Sequence, residues 1–296
     1  MTEHQATAID KQVAKVLRGL GNPEPPLSLD DVRELLKLDR KFYSSSDTSH
    51  LREVVSRLIV GGKQVISRPT LVWEAVKKRD LKALWVPDRK RILLDSTLPK
   101  LKWRWSEAHE IGHSLIEWHE YMLHGDDKHT LTPMAEEQLE AEANYAAGRL
   151  LFLRGAFEER LQSAAISNHL VMSLAKEFQN TISTTLWRTV ESIDGPAFGL
   201  VTQHPAQQHD TDKPVIRYFI RSREFAECFP RVSEVSLFME LQRVCRPGRG
   251  PIGETEIVLL DINGDEHVFS MEAFYTTYDA LILGLCQRKR ALSLAV

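Results

Sequence analysis

The chain has 296 residues, 43% of them hydrophobic, with a formal net charge of −3 and three cysteines. That length and apolar content allow a sizeable core and predict two domains, while the slightly acidic balance excludes an overall electrostatic pull toward nucleic acid. Cys228, Cys245 and Cys286 are odd in number and widely spaced, which excludes a disulfide framework. The chain lacks any apolar run of membrane-spanning length, and its N-terminus (MTEHQATAIDKQ) lacks a signal-peptide core, which together predict a cytoplasmic protein.

In chain order, Gln5–Leu20 has the period of an amphipathic helix and ends in a Pro-rich break over Asn22–Pro26. Ser28 predicts the cap of a second helix running through Leu38. Helical periodicity returns over 48–60 and 70–80. Lys82–Val86 and Arg91–Asp95 predict a β-hairpin around Pro87–Lys90, whose edge strand could pair with an extended peptide or serve structure alone. Further helices are predicted over Ala135–Leu151, Gln162–Glu177 and Ile182–Glu191. The last two faintly resemble a helix-turn-helix, although two packed helices without DNA contact are the simpler reading. Strands are expected over Phe198–Thr202 and Val215–Ile220, divided by the polar loop Gln203–Lys213. Glu256–Leu260 and His267–Phe269 flank Asn263-Gly264, a strong hairpin signal.

The chemistry concentrates in His109-Glu110-Ile111-Gly112-His113. H-E-x-x-H on a helix sets two imidazoles one turn apart with a carboxylate beside them, the arrangement that binds zinc and activates water. At about 100° per residue, Ala108, Ile111, Leu115 and Trp118 share one face and His109 and His113 the opposite one, so one side can bury while the other holds metal. Glu110 is turned away from the imidazole pair, which suits a base better than a ligand. Gly112 costs about 1 kcal/mol in a helix interior relative to alanine, so a close neighbour is expected there. A third ligand is required. In the helix Ala135–Leu151, Glu140 shares a face with Ala143, Asn144, Ala147 and Leu151, and the alanines would let the two helices approach closely. Glu142 points away and is rejected, while Glu136 and Glu137 remain alternatives. Asn144 is either an ordinary polar helix residue or the partner that orients His109 through its free ring nitrogen.

Arg104–His113 is similar to the R-F-[ST]-x-A-H-E-[LI]-G-H motif, and Glu140–Leu151 to the E-x-x-A-N-x-F-A-x-x-L-L motif, of the ImmA/IrrE family of zinc metallo-endopeptidases. The resemblance favours Glu140 over Glu136 as third ligand. Ala146 departs from the family's Phe and Leu153 from its Pro, both beyond the ligands. What it implies is an α+β chain in three parts. A mainly helical zincin-like metallopeptidase domain with a small sheet occupies 1–154, a helical linker 155–193, and a C-terminal α+β, GAF-like sensor domain 194–296. One Zn2+ would be held by His109, His113 and Glu140, with Glu110 as the catalytic base, and His119, Tyr121 and Tyr145 are the nearby candidates for an oxyanion donor. The implied substrate is a helix-turn-helix repressor whose cleavage derepresses stress or defence genes after DNA damage. The layout looks like the defence-associated, CapP-type members, and single-stranded DNA as activator is consistent with some relatives.

Two further readings stand beside this one. Cys245 lies among Arg243, Arg246 and Arg249 in a Pro/Gly loop, where cations favour thiolate, so it is either an inhibitory zinc ligand or an ordinary loop thiol. The same arginines, with Arg217, Arg221 and Arg223, are either phosphate contacts or solvated charge. The alternative function is a non-enzymatic sensor in which zinc is structural and the C-terminal part binds a ligand, DNA or a protein partner.

Overall fold

In the computed structural model, which describes residues 1–43, 83–86, 90–124, 133–208 and 214–289, the first helix begins on a capping box. The Thr2 hydroxyl accepts from the Gln5 backbone at 3.3 Å and the Gln5 side chain accepts from the Thr2 backbone at 2.7 Å, so α1 (Glu3–Gly19) starts two residues earlier than its apolar period indicates. Ser28 caps α2 (Leu29–Leu36) as expected, and a left-handed Lys37 (φ 55°) stops it short of Leu38. The released chain forms a strand that the sequence did not announce, β1 (Asp39–Tyr43). The expected hairpin is present as β2 (Ala83–Val86) antiparallel to β3 (Arg91–Asp95), with Leu84 opposite Leu93. Because β1 runs parallel to β3 on its other side, the order is β1-β3-β2, and β2 is an edge among the described residues. Ile92, Leu93 and Leu94 on the central strand are all buried, which is why this strand reads as a continuous apolar run. The helical segments expected over 48–60 and 70–80 lie outside the described residues.

Next come α3 (Lys100–Leu115), α4 (Glu117–His124) and α5 (Pro133–Leu151). Ala108, Ile111 and Leu115 are buried as expected, but an extended Ile116 breaks the helix, so Trp118 belongs to α4 rather than to the same apolar stripe. The middle of α3 is anchored by charge. Glu107 is 4% exposed, with Arg33 Nε 2.6 Å and Arg40 Nη1 3.0 Å from its oxygens, and Asp30 pairs with both arginines. One buried carboxylate thus joins α2 and β1 to α3. Helix α6 (Gly155–Gln162) follows; Phe157, Phe152 and Phe178 form an aromatic cluster with centroids 4.7–5.9 Å apart.

The chain divides into two units, Met1–Phe157 with Glu177–Asn180, and Glu158–Lys176 with Thr181–Val296. In the second, β4 (Ala197–Thr202), β5 (Ile216–Arg221), β6 (Gly250–Leu260), β7 (Glu266–Tyr275) and β8 (Ala280–Lys289) make an antiparallel sheet in the order β5-β4-β8-β7-β6. Helices α9 (Arg223–Cys228) and α10 (Glu234–Gln242) supply Phe225, Leu237, Phe238 and Leu241 to one face. Helices α7 (Asn168–Glu177) and α8 (Ile182–Glu191) supply Val171, Leu186 and Val190 to the other. The helical pair expected as part of a linker over 155–193 therefore contributes to the core of the second unit. Its first helix begins at Asn168 rather than Gln162, where the Ser167 hydroxyl accepts from the Leu170 backbone at 3.2 Å. Asp261 closes the Asn-Gly turn by accepting from the Asn263 and Asp265 backbones at 2.8 and 3.0 Å. The central β8 was not anticipated. It passes Phe198 so closely that a Cβ on Gly284 would stand 2.2 Å from that ring.

Replacing Glu107 by alanine leaves two half-buried guanidinium groups without their carboxylate. We expect a loss of about 3 kcal/mol of stability, read as a lower melting temperature, with the far-ultraviolet signature of the fold retained at low temperature.

Candidate metal centre

Helices α3 and α5 cross at Gly112. A Cβ there would lie 2.7 Å from the Ala143 carbonyl oxygen and 3.2 Å from the Ala146 Cβ, while Ala143, Ala146 and Ala147 are wholly buried. The close neighbour expected from Gly112 is therefore the backbone of α5, and Ala146 belongs to that contact. The crossing brings Glu140 over the histidine pair. Its Oε2 is 3.1 Å from His109 Nε2 and its Oε1 3.5 Å from His113 Nε2, and the two Nε2 atoms are 3.2 Å apart. These three side chains are the metal-capable cluster among the described residues, each offering one atom within 4.8 Å of the others.

What lies behind the imidazoles fixes which nitrogen faces the cluster. His109 Nδ1 donates to Asn144 Oδ1 at 3.0 Å, the orienting contact considered for Asn144. Behind His113 there is a longer relay. His113 Nδ1 is 2.9 Å from His119 Nδ1, and His119 Nε2 is 2.9 Å from Glu142 Oε2. Glu142 also accepts from Trp118 Nε1 at 2.6 Å and from the Gln138 amide at 2.9 Å. Burial pushes the His119 pKa down to about 4, against its contact with Glu142, so the ring is neutral. Burial raises the Glu142 carboxyl too, but the hydrogen bonds from Gln138, His119 and Trp118 outweigh it and hold the group below the usual range, so it is ionised. A neutral His119 donating through Nε2 to a carboxylate must accept at Nδ1, which makes His113 carry its proton on Nδ1 and present a bare Nε2. Two nitrogen lone pairs and a carboxylate thus converge, an arrangement that a cation relieves. Two imidazoles and one glutamate are a donor set of catalytic zinc sites, so the residues fit the ion that the sequence implies.

Charge agrees. The neighbouring imidazoles of His109 and His113 hold Glu140 well below the usual carboxylate range. Burial lowers His109, but Glu140, Glu110 and Asn144 more than offset this and raise it overall. Glu110, 8% exposed, is shifted upward by burial against the pull of the two histidines, and it accepts a hydrogen bond from the backbone of Trp85 on edge strand β2. The side chain of Glu140 is 55% exposed, against 15% and 10% for His109 and His113, so the cluster is open on the glutamate side.

Other expectations resolve differently. Glu142 is no ligand, as phase indicated; its place in the relay was not foreseen, because helical phase shows only that it faces α4 and not what waits there. His119 is buried with both ring nitrogens engaged, so it is not free to stabilise an oxyanion. Tyr145 donates to Asp10 at 3.2 Å. The side chains of Tyr121 and Glu136 lie outside those described, and Glu137 is exposed. Cys245 packs against the core of the second unit, and burial pushes its thiol up to about 11, opposite to the thiolate that its neighbouring arginines suggested. Arg217 pairs with Asp279, Arg223 with Glu227 and Arg243 with Glu240, so three of the arginines considered for phosphate contact have carboxylate partners.

A helix pair carrying a histidine pair and a glutamate beside a small sheet is an arrangement that a metallopeptidase can use. Residues 64–189 match the model of the IrrE N-terminal-like domain, peptidase family M78, so this stretch of the chain is similar to a metallopeptidase domain of that family. No curated protein matches the chain. Among solved structures it is similar to one described as a Mycobacterium tuberculosis transcriptional regulator, at 12% identity and a TM-score of 0.54 over 97% of this chain and 77% of that one, a likeness of fold. No helix among the described residues is long and apolar enough to cross a membrane.

Gly112→Ala gains about 1 kcal/mol of helix propensity but drives a methyl into the α5 backbone, where overpacking costs roughly 1–3 kcal/mol. We expect a net loss of stability together with weaker zinc binding, measured by thermal unfolding and by zinc titration against a chromogenic chelator.

Proposed function

We propose that the chain is a zinc-dependent endopeptidase, with His109, His113 and Glu140 as ligands and Glu110 as catalytic base. The observation that carries this reading is the convergence of three donor side chains, two of them imidazoles oriented from behind, by Asn144 for one and by His119 and Glu142 for the other. Zinc bound there would polarise a water molecule and the peptide carbonyl. Glu110 takes a proton from the attacking water and returns it to the leaving amine. Its position beside the Trp85 backbone puts the base at the edge of β2, where an extended peptide can add as a further strand and bring its scissile carbonyl to the ligands. Asn144 and the His119–Glu142 pair keep the ligand tautomers fixed and make the imidazoles better donors.

The substrate we propose is a helix-turn-helix repressor, cut to release stress or defence genes after DNA damage in the cytoplasm. The family match and the motifs support the substrate class. The second unit, an antiparallel sheet with helices on both faces, supports a GAF-like sensory role in which a signal, single-stranded DNA among the candidates, governs cleavage. A purely sensory protein with structural zinc is the other reading, but a cluster open on the glutamate side favours catalysis, since structural sites are closed by four protein ligands.

Incubation of the zinc-loaded chain with the repressor encoded beside it, with and without single-stranded DNA, is expected to give discrete fragments that a chelator abolishes. Glu110→Gln should keep stoichiometric zinc and lose cleavage by several orders of magnitude; retained turnover would exclude Glu110 as the base. Glu142→Gln keeps shape but removes the charge that anchors His119. We expect zinc affinity to fall by about 10- to 100-fold with little change in the unfolding temperature of the metal-free protein, and an unchanged affinity would make the relay structural only.

A further inference from the structure

We propose that the first unit has a second binding site, for a compact phosphate-bearing anion of the pyrophosphate class, in the cavity between α1 and the turn that follows α5. The cavity has a volume of about 280 Å3 and is lined by Thr7, Asp10, Lys11, Ala14, Arg18 and Arg154. Thr7, Lys11, Ala14 and Arg18 repeat along one face of α1 at helical spacing. The small Ala14 side chain leaves room between the two cations on that face.

The charge on these walls is unbalanced. The one acid among them, Asp10, already accepts from Arg149 Nε at 2.8 Å and from the Tyr145 hydroxyl at 3.2 Å. Lys11, Arg18 and Arg154 pair with no carboxylate among the described residues, and the Arg154 Nε is buried without a hydrogen-bond partner. A buried guanidinium N–H left unmatched is costly, so this guanidinium is short of acceptors within the protein.

Backbone geometry points the same way. Leu153 and Arg154 both take left-handed conformations (φ 52° each), and the Arg154 N–H closes on the Arg149 carbonyl at 3.0 Å. Two successive non-glycine residues in that region are disfavoured and concentrate where a side chain must be aimed. Here the turn buries Leu153 and carries Arg154 onto the cavity wall beside α1.

Three cations, two of them forked guanidinium groups, with a threonine hydroxyl at the rim, match phosphate oxygens in both charge and geometry. The volume is at or below the small end of ligand sites, roughly 300–1,000 Å3, which favours a compact anion over a whole nucleotide. Nothing in this site depends on the peptidase reading.

The test is calorimetric titration of sodium pyrophosphate into the full chain at fixed ionic strength, alongside Lys11→Gln, Arg154→Gln and Arg154→Lys. Lys11 is on the surface, so its variant reports binding without disturbing the fold. We expect a single site that weakens about tenfold or more in each glutamine variant and is partly restored by Arg154→Lys. Absence of binding overturns the proposal, and so does binding of equal strength in both glutamine variants, as chelation at the metal centre would give.

Discussion

The contact on which the site depends is the close crossing of α3 and α5, made possible because neither helix has bulk at the point of approach. Gly112 faces the Ala143 carbonyl, and Ala146 and Ala147 complete the contact. A larger residue would separate the helices and carry Glu140 away from the imidazoles. Metal-site geometry is therefore a packing property here. The candidate ligands come from two helices whose separation is fixed by the absence of atoms between them, and each imidazole is then held in orientation by a hydrogen bond made further inside.

Much of this was legible in the sequence because helices have a strict period. The spacing of His109 and His113, the orientation of Glu140 relative to Glu142, and the alanines at 143 and 147 all follow from about 100° per residue. The capped start of α2 and the Asn263-Gly264 turn were legible for a similar reason, since each uses a local hydrogen bond that only a few side chains make. What stayed hidden depends on contacts distant in sequence. The His119–Glu142 contact spans 23 positions and the Arg40–Glu107 contact 67, and neither carries a local signature. Cys245 shows the reverse error: its neighbours in sequence are cations, but its neighbours in space are apolar, and burial decides the state of the thiol.

Strands were less legible than helices. β1 (DRKFY) has little apolar content, and it pairs because it is delivered beside β3 by the turn at Lys37. β8 is apolar on both faces at its start because it lies at the centre of a sheet covered by helices on each side, so it lacks the alternation that marks a half-buried strand. The same coverage commits Val171, Leu186 and Val190 of α7 and α8 to the sheet, while Trp187 is exposed.

The uneven exposure of the three ligands has a kinetic meaning. The imidazoles are walled in and oriented from behind, while the glutamate is exposed on its outer side, so the cluster can be approached from solvent there. A site with one open side would let an ion enter after the chain has folded and leave without unfolding it, so that its filling would follow the free concentration of the ion in solution.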